Sequence, residues 1–272
     1  MNYSLDGVSK RYSVRRETVS ALESVSLSVQ KGEVIAILGS SGAGKTTLFR
    51  LLNATVRPTS GSLRLDGREL GTMSTSELRR TRRRIGTIYQ QHNLVPSLTA
   101  LQNTLCGCLG RWSLTETIRS ILSPAKSDVE QALHALELVE LADKRKARAD
   151  ELSGGQQQRV AIARVLMQKP EVILADEPVA SLDPALTDGI MSLLIRGASE
   201  GRRTLVLAIH KVGLALEYFP RVIGLRSGGV FFDRPSAEID KDLLQGLYAG
   251  HKQEPRRIQD DNRLQREFGC AR

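Results

Sequence analysis

The sequence has little of several features that would point to common classes of protein. Aromatic residues make up only 4% of its 272 residues, so stacking platforms for single-stranded nucleic acid are not expected. The three cysteines (Cys106, Cys108 and Cys270) are an odd set without zinc-site spacing, and we predict that Cys106 and Cys108 are helix residues. No apolar run approaches the roughly 18–20 residues of a membrane span, and the N-terminus has no signal-peptide pattern. These features predict a cytoplasmic chain.

The overall composition is that of a globular protein with excess positive charge. Hydrophobic residues make up 40% and charged residues 25% of the chain, which excludes a collagen-like or wholly disordered protein. The formal net charge is +9, and the basic residues include a run at positions 79–84. Such a run can bind nucleic acid or an anionic membrane. We predict instead the solvated end of a helix just before a strand.

Strand and helix patterns alternate along much of the chain. Alternating apolar residues predict strands at 19–29 and at 63–65, the second followed by the hairpin signal Asp66-Gly67. Further apolar runs predict short strands at 34–38, 85–89, 172–175 and 204–209. The first of these runs is typical of a sheet that is covered on both faces. Helices are predicted at 46–53, 156–168 and 184–197.

The middle and the end of the chain depart from this alternation. From about residue 96 to residue 152 the pattern is helical, which predicts an inserted helical subdomain. Within it, Ser127-Asp128-Val129-Glu130 has the sequence of a capping box and predicts the start of a helix. The segment 250–272 mixes charges of both signs with few apolar residues, so we expect a basic, poorly ordered tail beyond a domain of residues 1–249.

The strongest motif is a glycine-rich loop of the pattern G-x-x-x-x-G-K-[ST] between a predicted strand and a helix. Its glycines allow consecutive backbone N–H groups and the helix N-terminus to point at phosphate oxygens. Lys45 is then expected to reach the β- and γ-phosphates of a nucleotide, and the Thr46 hydroxyl to coordinate Mg²⁺. The predicted nucleotide-binding residues here are Gly39, Ser40, Ser41, Gly42, Ala43, Gly44, Lys45, Thr46 and Thr47.

Two carboxylates follow the apolar run at 172–175. Asp176 and Glu177 would lie at the C-terminal end of a parallel strand, where α/β sheets bind ligands. Asp176 suits the coordination shell of Mg²⁺, and Glu177 is then free to orient and polarise the attacking water. A surface acidic pair is the alternative for such a strand end alone, but the neighbouring phosphate loop favours the catalytic interpretation.

A second helix start has the features of an anion site. Leu152 is followed by Ser153, Gly154, Gly155 and Gln156, and then by an apolar helix pattern. Because a nucleotide needs only one glycine cradle, this second start is expected to serve another nucleotide. A generic helix cap is the alternative. The position of the motif between the phosphate loop and the acidic pair favours an anion-binding role instead.

With these motifs, the chain resembles the ABC ATPase family over essentially residues 2–245. In that family the LSGGQ signature of one subunit closes over ATP held by the P-loop of its partner, so the resemblance implies a homodimer that binds ATP and Mg²⁺. It also implies an α/β fold, in which a P-loop NTPase core carries an N-terminal antiparallel β subdomain and an inserted α-helical subdomain. Ser40 stands where many members have proline, but backbone cradling does not depend on it.

The resemblance assigns roles to four further positions. Gln90 falls at the Q-loop position, where the family's glutamine senses Mg²⁺ and contacts the membrane subunit, with Gln91 as the alternative. Ser181-Leu182-Asp183 matches the D-loop, which crosses the dimer interface, and Asp183 is counted among the nucleotide-binding residues. His210 matches the switch histidine that contacts the γ-phosphate. Tyr12 matches the aromatic residue that stacks on adenine, although an isolated tyrosine there would normally be a core residue.

Among ABC proteins, the resemblance favours a transporter subunit. DNA-repair, chromosome and ribosome ATPases usually carry two cassettes or a long coiled-coil or zinc insertion, whereas this chain has one cassette and a short helical insertion. A simple P-loop kinase is favoured still less. Since the chain has no span of its own, the resemblance implies two separate permease subunits. That layout is commonest in bacterial importers with an external binding protein, which implies a peripheral subunit on the cytoplasmic face of the inner membrane.

The cargo can be inferred only from subfamily resemblance, because the ATPase does not touch it. The segments 89–99, 175–184 and 221–225, with Cys108-Leu109-Gly110-Arg111, are similar to phosphonate-importer ATPases. Many relatives have Thr-Ser-Ala where this chain has Val179-Ala180-Ser181. The resemblance implies import of phosphonates, phosphite or phosphate esters, with methionine and polar amino acids as alternative cargoes.

Overall fold

The smaller of two β-sheets is formed by the N-terminal part of the chain. The computed structural model describes residues 1–14, 17–112, 124–180 and 182–249, so Ser181, part of the helical insertion and the expected tail at 250–272 lie outside the described residues. Neighbouring strands in this sheet are antiparallel, in the order β2-β1-β4-β5. The strands are β1 (Tyr3–Val14), β2 (Glu17–Val29), β4 (Ser60–Leu65) and β5 (Arg68–Glu69). The predicted antiparallel β subdomain is therefore confirmed.

The larger sheet is parallel except at one edge. Its strand order is β10-β9-β3-β8-β7-β6, and among the described strands of this sheet only β10 is antiparallel to the strands of the parallel core. The strands are β3 (Val34–Leu38), β6 (Ile85–Ile88), β7 (Val172–Asp176), β8 (Thr204–Ala208), β9 (Arg221–Arg226) and β10 (Gly229–Pro235). Every residue of β7 and β8 is buried, as expected for parallel strands covered on both faces.

Helices cover both faces of the larger sheet and form the inserted subdomain. In chain order they are α1 (Lys45–Leu52), α2 (Thr75–Arg83), α3 (Ala100–Leu105), α4 (Lys126–Leu138), α5 (Gly154–Gln168), α6 (Pro184–Glu200), α7 (Val212–Tyr218) and α8 (Lys241–Tyr248). Within the described ranges, none of these helices has the length and apolar character needed to cross a bilayer. The helices α3, α4 and α5 pack against one another; α3 and α4 lie within the insertion predicted at about 96–152, and α5 follows it in the sequence.

Alternate residues of the parallel strands pack into two separate hydrophobic cores. Ala36 and Leu38 of β3 point into a core shared with α5 and α6, whereas Ile35 and Ile37 point into a core shared with α1 and the smaller sheet. This division follows from the period of two along a strand. The predicted phosphate loop, the acidic pair and His210 lie at the C-terminal ends of the parallel strands β3, β7 and β8.

Local predictions hold at two places and fail at one. The hairpin at Asp66-Gly67 joins β4 to β5, and the arginine run closes α2 just before β6, as predicted. The capping box predicted at Ser127 is wrong. The helix begins earlier: Ala125 is the N-cap, and its carbonyl accepts hydrogen bonds from the N–H groups of Asp128 and Val129.

Candidate functional site

The phosphate loop joins β3 to α1, as its sequence predicts. Gly44 has a φ of 102°, and a Cβ there would lie 2.6 Å from the Ala21 carbonyl oxygen, so only glycine fits between the loop and the smaller sheet. Lys45 is 6% exposed, and its Nζ donates hydrogen bonds to the carbonyl oxygens of Gly39 (2.8 Å) and Ser40 (3.0 Å). The loop thus encloses the ammonium group of its own lysine.

Asp176 at the end of β7 meets the first turn of α1. The Thr46 hydroxyl donates a hydrogen bond of 3.0 Å to Asp176 Oδ2. Burial raises the pKa of the Asp176 carboxyl, the bond from Thr46 opposes the rise, and the neighbouring Glu177 adds to it. Burial lowers the pKa of the Lys45 ammonium, while the carboxylates of Glu177 and Asp176 oppose that shift. Both charged groups have therefore lost part of their hydration at this edge of the sheet.

Glu177 lies one strand away from its partner His210. The Glu177 N–H donates to the Ala208 carbonyl of β8 (3.1 Å), and the residue adopts a φ of 54°, which is uncommon for a non-glycine residue. Its Oε1 lies 2.5 Å from His210 Nε2, and the Glu177 side chain is 14% exposed whereas that of His210 is 45% exposed. The structure therefore brings two residues that are 33 positions apart in the sequence into direct contact.

The loop and the acidic edge have the properties that a nucleotide with a divalent cation requires. Gly42 has a φ of 80° and a Cβ there would meet nothing within 4 Å, so the backbone itself forms the open side of the loop. Thr46 and Asp176 offer a hydroxyl and a carboxylate oxygen, and Mg²⁺ is commonly held by one or two such protein ligands together with substrate phosphates. A cation beside Asp176 would also offset the loss of hydration around its carboxylate.

The signature residues form the start of α5. The Ser153 hydroxyl accepts a hydrogen bond from the Gln156 N–H (3.3 Å), and the Gln156 side chain accepts one from the Ser153 N–H (2.9 Å). This capping box starts the helix at Gly154, two residues before the predicted boundary. Ser153 and Gly154 are exposed, and a Cβ on Gly154 would meet nothing within 4 Å. The helix start is therefore accessible to another molecule.

Asp183 starts a helix in the same way. Its Oδ1 accepts a hydrogen bond from the Leu186 N–H (3.0 Å), and Pro184 occupies the first turn of α6. The side chain is exposed. Helix capping explains this residue locally, and its predicted nucleotide contact stays a prediction.

Gln90 lies in an exposed turn just beyond β6. The preceding residue, Tyr89, is fixed by its hydroxyl, which accepts a 3.3 Å hydrogen bond from Asn53 Nδ2 at the end of α1. Gln91 is equally exposed. The turn therefore leaves both glutamines available, as the two alternatives from the sequence require.

Tyr12 lies near the end of β1, paired with Val19 of β2. Its ring is half-buried, and Lys10 Nζ lies 5.2 Å from the ring centre. In the part of the chain that the structure describes, its buried hydroxyl has no hydrogen-bond partner. Adenine stacking on this ring stays a prediction.

Comparisons with known proteins agree with this arrangement. A model of the ABC transporter family matches residues 22–180. The chain is 45% identical over 234 residues to the phosphonates import ATP-binding protein PhnC of Pseudomonas fluorescens, covering 86% of this chain and 88% of that protein. It is 42% identical over 242 residues to a phosphonates import ATP-binding protein of Halalkalibacterium halodurans, covering 89% of this chain and 90% of that protein.

Solved structures of ATP-binding cassettes have the same fold. A dimeric bacterial ABC transporter cassette, MJ0796, superposes with a TM-score of 0.79 at 33% identity, covering 86% of this chain and 98% of that chain. Another structure of MJ0796, a post-hydrolysis dimer bound to ADP and Pi, gives a TM-score of 0.78. The chain belongs to the ABC transporter family.

In this ABC cassette, folding brings some of the predicted site residues into direct contact and leaves others apart. Thr46 meets Asp176, and Glu177 meets His210, at the C-terminal ends of β3, β7 and β8. The signature helix α5 belongs to another part of the cassette, the helical layer with α3 and α4.

Sequence reasoning missed one residue of the cassette that contacts the Q-loop segment. Arg164 of α5 donates hydrogen bonds to the carbonyl oxygens of His92 and Asn93. The signal in the sequence was a charged residue within an apolar helix pattern. Arg164 stands between Ala163 and Val165, and both of these neighbours are buried in the structure.

Proposed function

We propose that this chain is the ATP-binding and ATP-hydrolysing subunit of a bacterial ABC importer that takes up phosphonates through separate permease subunits. The contact of Thr46 with Asp176, beside the Glu177–His210 pair, carries the ATPase part of the proposal. The cargo rests on the similarity to phosphonates import ATP-binding proteins over most of the chain.

The residues of the site divide the chemistry among them. The backbone of residues 39–46 and the Lys45 ammonium bind the phosphates of ATP, and Tyr12 supports the adenine. Thr46, Asp176 and Gln90 hold Mg²⁺, which neutralises phosphate charge when bound. Glu177 accepts the proton of the attacking water, and His210 keeps the carboxylate in place and faces the γ-phosphate.

Two copies of the chain complete two sites. The start of α5 lies outside the cluster at the sheet edge, yet its Ser153, Gly154 and Gly155 backbone suits an anion. In a symmetric homodimer, the partner subunit's Ser153 would contact the γ-phosphate held by this chain's P-loop. Asp183 would lie at the same interface. Loss of the γ-phosphate then removes the charge that joins the two subunits.

The rest of the transporter is supplied by other chains. Two permease subunits provide the membrane path, and an external binding protein delivers the cargo. The chain then lies at the cytoplasmic face of the inner membrane as a peripheral subunit, where its net charge of +9 favours an anionic lipid surface.

Reconstitution tests this proposal. The chain is assembled with its permease subunits and binding protein in liposomes, and ATP hydrolysis is measured with methylphosphonate, with methionine and without cargo. We expect several-fold stimulation by methylphosphonate alone, and no hydrolysis in a matched Lys45→Ala complex. Stimulation by methionine and not by methylphosphonate would overturn the cargo assignment, and hydrolysis that survives Lys45→Ala would overturn the assignment of the site.

A further inference from the structure

The segment from Tyr89 to Asn93 connects two helices whose N-terminal ends are proposed to bind nucleotide. On one side, Tyr89 accepts the hydrogen bond from Asn53, which is 4% exposed and caps the C-terminal end of α1. On the other side, the segment contacts α5, the helix that begins at the signature. Gln90 and Gln91 lie between these two attachments.

Arg164 makes the attachment to α5. One guanidinium nitrogen lies 2.7 Å from the Asn93 carbonyl oxygen, and the other lies 2.9 Å from that of His92. These two carbonyls come from consecutive residues with positive φ, 59° at His92 and 49° at Asn93. Histidine and asparagine adopt such conformations more readily than most non-glycine residues, and one arginine holds this turn by binding both carbonyls at once.

The surroundings of Arg164 argue against a simple surface contact. Burial lowers the pKa of its guanidinium, with Cys106 and Tyr89 opposing the shift. The hydrogen bonds that the structure gives to its guanidinium end on neutral carbonyl oxygens, so the charge is compensated by backbone dipoles. A second side chain of the same helix, Gln158, is only 1% exposed, so this part of α5 is buried. Arg164 thus holds the part of the chain that directly follows Gln90.

We propose that Arg164 is a positioning residue that couples the position of the signature helix α5 to the position of Gln90. A displacement of α5 carries the His92 and Asn93 carbonyls with it, and Gln90 lies only two residues before His92. The anchor at Asn53 keeps the other end of the segment on the P-loop helix, so the segment must rotate between them. This inference rests on the proposed role of Gln90 at the nucleotide.

A double-mutant cycle on the full transporter separates positioning from general stability. Arg164→Met and Gln90→Ala are made singly and together, and the basal kcat and KM for ATP are measured, so that the result does not depend on the cargo. If Arg164 acts through Gln90, Arg164→Met lowers kcat about tenfold in the parent chain and less than about twofold in the Gln90→Ala chain. If Arg164 contributes only to overall stability, Arg164→Met lowers kcat by the same factor in the parent and Gln90→Ala chains. That result would overturn the proposal.

Arg159 of the same helix offers a matched control. It also binds two backbone carbonyls, those of Val139 and Glu140, both at 3.0 Å, but these residues directly follow α4. We expect the kcat effect of Arg159→Met, whatever its size, to be the same with and without Gln90. Hydrogen exchange should rise at the amides of 89–95 in Arg164→Met and at those following α4 in Arg159→Met.

The outcomes distinguish this inference from the proposed function. If Gln90→Ala alone leaves kcat and KM unchanged, Arg164 has no catalytic group to position and the inference is overturned, while ATP hydrolysis by the parent complex still supports the function. Rescue by Arg164→Lys should be partial, because lysine presents one charged nitrogen where arginine presents two fixed donors. Unchanged hydrogen exchange at the amides of residues 89–95 in Arg164→Met would also overturn the inference.

Discussion

At the scale of single residues, the chemistry of this site depends on charged groups that have been withdrawn from water. Burial raises the pKa of Asp176 and lowers the pKa of Lys45, so each charged form gains from a ligand of opposite charge. A phosphate near Lys45 and a cation near Asp176 satisfy both needs together. Glu177 differs from Asp176 because it is held by His210 rather than by a hydroxyl of the loop.

Replacement of Glu177 by glutamine tests its role as the base. The amide keeps the shape of the side chain but cannot accept the proton of water, so ATP hydrolysis should fall by about 10²–10³-fold while ATP binding persists. Steady-state hydrolysis and nucleotide titration measure the two effects. Glu200→Gln, an exposed substitution near the end of α6, is the control and should leave both values unchanged. Near-normal turnover by Glu177→Gln would show that another group is the base.

The sequence alone predicts part of this residue chemistry. The loop at 39–46 and the pair Asp176-Glu177 follow from local motifs, because their function depends on neighbours in the chain. The bonding of Lys45 to the Gly39 and Ser40 carbonyls, and of His210 to Glu177, was not predicted in this form. Those contacts depend on the loop conformation and on the register of β7 against β8, in which Asp176 pairs with Ala208.

At the scale of elements, helix starts show where sequence patterns are decisive and where they mislead. Ser74 has the capping-box arrangement with Glu77 at the start of α2. Ser127 has the same type of sequence around it, yet lies inside α4, because the chain enters the helix at Ala125. A capping sequence therefore specifies a helix start only if the preceding residues have not already started one.

Two alanine substitutions distinguish these helix starts. Ser74→Ala removes a side chain that accepts a hydrogen bond from the Glu77 N–H, so the free energy of unfolding should fall by about 1 kcal/mol. Ser127→Ala should change it by less than about 0.5 kcal/mol, because Ser127 is not the N-cap of α4 and alanine has a high helix propensity. Urea denaturation measures both. A larger loss at Ser127 than at Ser74 would contradict the observed start of α4.

At the scale of the whole molecule, two cores meet at the sheet, and the functional residues lie where both end. The N-terminal β structure and the helical insertion could be predicted from their periodicities in the sequence, whereas the antiparallel arrangement of the N-terminal strands was implied by the family resemblance. The attachment of α5 to the segment after Gln90 could not be predicted, since it depends on one arginine reaching two backbone carbonyls 71 and 72 positions away.

The central claim is that one chain supplies only half of each nucleotide site. In the proposed homodimer, the P-loop with Asp176 and Glu177 would supply one half, and the start of α5 at Ser153, which is exposed, would supply the other. Slow hydrolysis in Glu177→Gln should make the complete, ATP-bound assembly long-lived enough to observe.

Sedimentation of the Glu177→Gln chain with and without ATP tests this claim most directly. We predict that ATP doubles the sedimenting mass from the 29.9 kDa of one chain, and that adding Ser153→Arg keeps the protein monomeric although its own P-loop still binds ATP. Binding of ATP by the Ser153→Arg chain shows that it is folded. A monomer that holds ATP without dimerising in the Glu177→Gln chain, or a dimer that forms regardless of Ser153, would contradict the account.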